Sequence, residues 1–313
     1  MSEITVENKK IKNPKKRHKN ISINGTNNVG GYLFILPLII IFVVFLLFSF
    51  YFLIKNSFYK VTISFLEPEF VGIKNYKAVL GDPQFFTALI NTFLISVASI
   101  FAGLTFGFII SVFLGFKFKG KKFFQSIFFI PAMLPIAMVA AVFGSMLEYK
   151  EGAVNSVLRF LGMGVFAQRW LVDPKLAMIS VMSVSIYLVG IPIMYYTADL
   201  ATLNTSIFEA AIIDGAGLKD MIIAILFPLL KNTHKTITLS MFLGSFREME
   251  RVYMMTNGGP GGSTQIIGTY IFNGTRSPGS NLGIVSAAAV IIMIIAFLIA
   301  FVQLKMYGKS SAS

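Results

Sequence analysis

An all-α membrane protein with six transmembrane helices is the architecture this chain predicts, and three observations carry it. Of its 313 residues, 55% are hydrophobic, and the mean hydropathy is +0.75. Only 13% are charged, against about a quarter in a soluble domain. The apolar residues fall in long unbroken runs instead of short alternating strands, so helices, not a closed β-barrel, are the way this backbone satisfies itself in lipid.

A hydrocarbon core about 30 Å thick takes about 20 helical residues. Six stretches meet that length: 31–54, 87–115, 123–147, 175–198, 234–256 and 281–305. They make up a transmembrane domain over 30–306, with a basic tail at 1–29 and a short tail at 307–313. Pro131, Pro135 and Pro192 fall inside expected spans. Proline is tolerated there when neighbours satisfy the freed carbonyls, so bends are expected in place of breaks.

Charge gives the orientation. Lys9, Lys10, Lys12, Lys15, Lys16, Arg17 and Lys19 crowd the first nineteen positions. With the N-terminus inside, the inner segments hold sixteen Lys and Arg and the outer segments nine. The short Lys117–Lys122 link carries four of the inner ones. Positive-inside counting therefore places both termini in the cytoplasm. The basic tail has too few apolar residues to bury a core and is expected to be disordered. Its natural counterpart is anionic lipid, at about 1 kcal/mol per basic residue near the surface, and not nucleic acid. It also makes a poor signal peptide, because the apolar run behind it is too long.

Several chemistries are excluded by what the chain lacks. Cysteine is absent and only two histidines occur, His18 and His234. No disulfide or thiolate chemistry is available and no metal site is expected. No GxxxxGK[ST] segment occurs, and the glycine-rich Gly258–Gly262 has neither its lysine nor its following helix. A membrane-embedded enzyme would need a recognisable catalytic pair within the bilayer, and none stands out.

The link between the fourth and fifth expected spans, 199–232, is the most informative segment. Ser206 followed by Glu209 fits a capping box. A short helix should run from there through Asp214, and Gly215 is placed to end it in the left-handed conformation. Phe208, Ala211 and Ile212 should share one face, with Ile207 and Ala210 beside it. Two apolar turns are unstable alone in water, so this face is expected to lie in a partner's groove. A second helix should follow from about Leu218, bent at Pro228.

These residues resemble a known pattern. Glu209-Ala210-Ala211, Asp214-Gly215-Ala216 and Leu226-Phe227-Pro228 look like the EAA loop of ABC importer permeases, in the sugar-importing maltose and glycerol-phosphate branch. Phe70-Val71-Gly72-Ile73-Lys74-Asn75-Tyr76, Asn91-Thr92, Trp170 and Thr256-Asn257-Gly258-Gly259-Pro260 agree with that branch. The resemblance runs from about 30 to 306. It implies the type I importer permease fold, with a cytoplasmic EAA coupling helix docked in an ATPase cleft. It also implies a second, different permease chain, two ATPase subunits and an extracellular solute-binding protein, in a prokaryotic plasma membrane. ATP and Mg would be bound by the ATPase partners, with no cofactor and no catalysis in this chain. The coupling residues would be Ser206, Phe208, Glu209, Ala210, Ala211, Ile212, Asp214, Gly215 and Pro228, and the cargo a carbohydrate. An ion-gradient-driven secondary transporter is the alternative; it would need discontinuous helices and an ion site of its own.

The fifth expected span carries Arg247, Glu248, Glu250 and Arg251. On a continuous helix they occupy less than half the circumference, and Arg247 with Glu250, and Glu248 with Arg251, are spaced to pair. Charges in a membrane helix usually face protein or water. Two readings are open, a polar wall of the substrate pathway and a self-neutralising network against the partner permease. Trp170 reads as an interfacial anchor.

Overall fold

The computed structural model describes residues 29–62, 68–116, 118–277 and 279–308. The basic tail and the last five residues, with Lys117, lie outside them. The chain divides into two units, one ending at Phe50 and one beginning at Tyr51.

The first apolar run forms α1 (Val29–Phe42), which passes through a π-helical turn (Val43–Leu47) into α2 (Phe48–Ser57). Two short strands, β1 (Tyr59–Lys60) and β2 (Glu69–Phe70), then pair antiparallel ahead of α3 (Lys74–Leu80). Asn75 is the hub of this corner. Its buried amide donates to the carbonyls of Ser57 and Tyr59, each at 2.9 Å, and its own oxygen accepts from Asn281 at 3.0 Å. Asn281 in turn accepts from the backbone of Val61 and Gly283.

Asp82 caps the second long helix by accepting from the Gln84 amide at 2.9 Å, and Pro83 opens it where a missing N–H costs nothing. That helix, α4 (Pro83–Ala102), continues through a π-helical turn (Gly103–Gly107) into α5 (Phe108–Gly115). The pair α6 (Lys121–Met133) and α7 (Ile136–Met146) meets at an angle of 99°. The expected third span is thus sharply broken where only a bend was anticipated. The cause is local: Leu134 precedes a proline and is driven to extended backbone (ψ 139°), and Pro135 follows suit (ψ 132°).

An amphipathic helix, α8 (Ala153–Phe160), occupies the next link. Trp170 follows it and donates its indole N–H to the buried Asn155 at 2.9 Å. Then come α9 (Pro174–Tyr187) and α10 (Gly190–Leu200), with Asp173 capping the first. Pro192 packs on Gly103 and Gly107, and a β-carbon at Gly107 would come within 2.8 Å of the proline side chain. Small residues spaced four apart let these backbones approach.

Beyond α10 lie α11 (Thr205–Ile213), α12 (Leu218–Asp220), a π-helical turn (Met221–Leu226) and α13 (Phe227–Leu229). The expected fifth span is two helices, α14 (Lys231–Arg247) and α15 (Glu250–Met255). The continuous helix expected over 234–256 is interrupted at that break. Glu248 is extended (ψ 134°), so residues on its two sides no longer share a face. Gly268, on α16 (Ile267–Arg276), makes the break possible, since a β-carbon there would collide with the Glu248 carbonyl. The chain closes with α17 (Leu282–Gly308).

Among the described residues, four stretches are long and apolar enough to cross a membrane: Tyr32–Ser57, Pro83–Gly115, Pro174–Leu200 and Leu282–Lys305. The bent α6–α7 pair makes five if it counts as one.

Candidate functional site

The link between α10 and α14 is built around α11. Asn204 is its N-cap: the residue is extended, and its side-chain oxygen accepts from the Ser206 amide at 3.0 Å. Ser206 is therefore inside the helix, and the expected Ser206–Glu209 capping box does not form. Asparagine, threonine and serine stand in a row at 204–206, all of them good caps, so the sequence left the start ambiguous by two residues.

The C-terminal end is a Schellman motif. Gly215 has φ +82°, its amide donates to the Ile212 carbonyl, and the Ala216 amide donates to Ala211 at 2.9 Å. Asp214 is the last residue before this turn.

Part of the apolar surface of α11 seats on this chain itself. Ala211 is buried against this chain, and Phe208 packs on a cluster of Phe108, Tyr196, Leu226, Leu230 and Ile237. The stripe Phe208–Ala211–Ile212, expected to face a partner, is thus split, with only Ile212 left outside. The outward face is instead Ser206, Glu209, Ala210 and Ile213, all exposed, and Ile213 is 84% exposed. Neither Asn204 nor Ile213 stood out as functional in the sequence.

Behind α11 the two flanking helices are tied together. The Tyr196 hydroxyl and His234 Nδ1 are 2.6 Å apart, and His234 Nε2 lies 2.9 Å from the Phe227 carbonyl. The Thr233 hydroxyl donates to Asp199. Pro228 sits in α13, one turn ahead of this junction. A displacement of Phe208 would therefore press on side chains of both α10 and α14.

The other end of α14 borders a cavity of about 340 Å³. Its walls come from Ser99, the Pro131–Ile136 bend, the α9–α10 junction and α14, and Arg247, Glu248 and Arg251 line it. Arg251 is 1% exposed and grips Glu248 with two guanidinium nitrogens. Its third nitrogen, Nη1, donates to the Ser185 hydroxyl at 2.7 Å, and Ser185 lies 3.0 Å from the Ser99 hydroxyl. The Glu248–Arg251 pair expected from spacing is present, although the helix between them is broken. The Arg247–Glu250 pair is not. Both side chains are exposed, they make no ion pair among the described residues, and Glu250 does not line the cavity. The reason is the extended Glu248, which separates the two helices.

On the far side, Asn91 donates to the carbonyls of Ser263 and Gln265, each at 2.9 Å. The Thr92 hydroxyl accepts from the Ile267 amide at 3.0 Å. The Asn91-Thr92 pair thus pins the segment after Thr256 to α4. Tyr270 donates to Asp82 at 2.8 Å, and burial pushes its phenol above the ordinary range, which keeps it a donor. Among the described residues no cluster of His, Asp and Glu could hold a metal ion.

The family described as "Binding-protein-dependent transport system inner membrane component" matches residues 100–307. This chain belongs to that family. It is 30% identical over 287 residues to the probable ABC transporter permease protein YurN of Bacillus subtilis, covering 90% of this chain and 97% of that one. It is 29% identical over 290 residues to the multiple sugar-binding transport system permease protein MsmF of Streptococcus mutans, covering 90% and 97%. A solved bacterial alginate ABC transporter, in complex with an alginate pentasaccharide-bound periplasmic protein, superposes with a TM-score of 0.76 at 22% identity, covering 88% of this permease and 93% of that chain. The permease therefore has the type I ABC importer permease fold and is a multi-pass component of the inner membrane. The family is a non-enzymatic transport component, and it gives no support to an ion-gradient-driven mechanism.

Proposed function

We propose that this permease forms half of the translocation pathway of an ATP-driven carbohydrate importer. Its companions would be a second, different permease, two ATPase subunits that bind ATP and Mg, and an extracellular solute-binding protein. The residues from 30 to 306 would cross the membrane six times, with α14 and α15 together as the fifth crossing and both termini in the cytoplasm.

The observation that carries this reading is the construction of α11. A two-turn helix closed at both ends presents Ser206, Glu209, Ala210 and Ile213 outward and seats Phe208 and Ala211 inward. An exposed apolar residue on such a face, Ile213 at its C-terminal end, suits a groove. The outward residues, with Ile212, would dock on the ATPase. Asp214, Gly215 and Pro228 would fix the helix's angle, while Phe208 and Ala211 would pass its motion to α10 and α14. Arg247, Glu248, Glu250 and Arg251 would belong to the pathway region, with Glu250 outside the cavity wall. A carbohydrate cargo is supported by the serine hydroxyls around the cavity and by relatives whose names specify sugars, MsmF among them.

Purification of the tagged chain in mild detergent tests this. ATPase subunits and a second permease should co-purify, and the associated binding protein should bind oligosaccharides. A chain that purifies alone from membranes in which it supports uptake would overturn the reading.

A further inference from the structure

We propose that the solute carried past this cavity is anionic, a saccharide bearing a carboxylate, sulfonate or phosphate. The inference rests on the reading of the cavity as part of the pathway. Glu248 and Arg251 neutralise one another. Each Glu248 oxygen accepts from Arg251, and Arg251 gives a third one of its five N–H groups to Ser185. The pair is neutral as a unit, and Arg251 is 1% exposed, so it adds no net charge to the wall. Arg247 is the third charged side chain on the wall. It is exposed and has no ion-pair partner among the described residues.

The counter-charge that spacing assigns to it, Glu250, is carried off by the helix break and does not line the cavity. Arg247 stands between this cavity and a second, apolar groove lined by α14, α16 and α17, and it brings one unneutralised positive charge to a cavity wall otherwise made of apolar groups and serine hydroxyls. A guanidinium unmatched at membrane depth is costly unless water or an anion meets it. Its planar fork pairs with an oxyanion through two parallel hydrogen bonds. A neutral sugar would leave that fork unused, whereas an acidic one would fill it while its hydroxyls meet Ser240 and Ser245.

The chain has no native cysteine, so the cavity's charge preference can be read directly. Gly244 lines the cavity one turn before Arg247, and a β-carbon there meets nothing within 4 Å. In membranes opened to both faces, Gly244→Cys is reacted with a sulfonate-bearing and a trimethylammonium-bearing methanethiosulfonate of matched size. The sulfonate should have the advantage. Its rate relative to the cation should fall at least about fivefold when Arg247→Gln is added, as expected for removing one nearby charge in a confined, partly dry site. Arg247→Lys should retain the preference. Ser240→Cys is the second reporter, should Gly244→Cys misassemble. Rates that are indifferent to charge, or unchanged by Arg247→Gln, overturn the anionic cargo and leave the pathway standing. A thiol that neither reagent reaches at either position overturns the pathway itself.

Discussion

Arg251 and Glu248 form a bidentate ion pair across the break between α14 and α15, and the arginine is 1% exposed. This pair closes the wall of the cavity and holds two helices that share no continuous backbone ladder. Breaking it should therefore unfold more than it opens. Arg251→Met strands the Glu248 carboxylate and should cost about 3–5 kcal/mol, while Glu248→Gln with Arg251→Met should recover much of that loss. Thermal unfolding of the detergent-solubilised complex measures both. Arg247→Met leaves the pair intact and should change stability far less than either.

Gly268 should tolerate no side chain. The Glu248 carbonyl occupies the place a β-carbon would take, and Met249 stands 2.9 Å away. Gly268→Ala must displace backbone, at a cost on the order of 1–3 kcal/mol. A lowered melting temperature is the expected readout, and unchanged stability would mean the break can shift.

Asn91 should be needed to hold the outer segment. Asn91→Leu leaves the Ser263 and Gln265 carbonyls without their donor, at about 1–3 kcal/mol for each group left buried. Limited proteolysis should then cut between 257 and 267 in the variant and spare the parent.

Much of this was legible in the sequence. Hydropathy over 18 or more residues gives the long helices, because burial in lipid is a property of composition. The Asp214-Gly215 stop was legible as well, because only a left-handed residue closes a helix that way. Two of the departures are backbone angles at single residues, which a hydropathy pattern does not record. Extended backbone at Leu134 and Pro135 turns a span through 99°. Extended backbone at Glu248 takes Glu250 away from Arg247. At the start of α11 three adjacent side chains can each cap a helix, and the helix begins two residues earlier than the Ser206–Glu209 box suggests; that Phe208 and Ala211 point inward is set by packing against α10 and α14.

Gly215 gives a test of transmission separate from docking. Nothing lies within 4 Å of its would-be β-carbon, so any cost is conformational. Gly215→Val should strain the turn by about 1–2 kcal/mol, keeping assembly and losing uptake. Gly215→Asn should transport, since asparagine accepts the left-handed region. Equal transport by both variants would make the turn incidental.

If α11 docks the ATPase through its outward face, Ile213 enters the contact. An aspartate at this position is harmless to a free chain, because the side chain already faces solvent, but it would bring an unpaired charge into a docking groove. ATPase content per permease, measured after co-purification, should fall to near zero in Ile213→Asp while the chain remains inserted and folded. Full ATPase retention together with parental uptake in that variant would contradict the account.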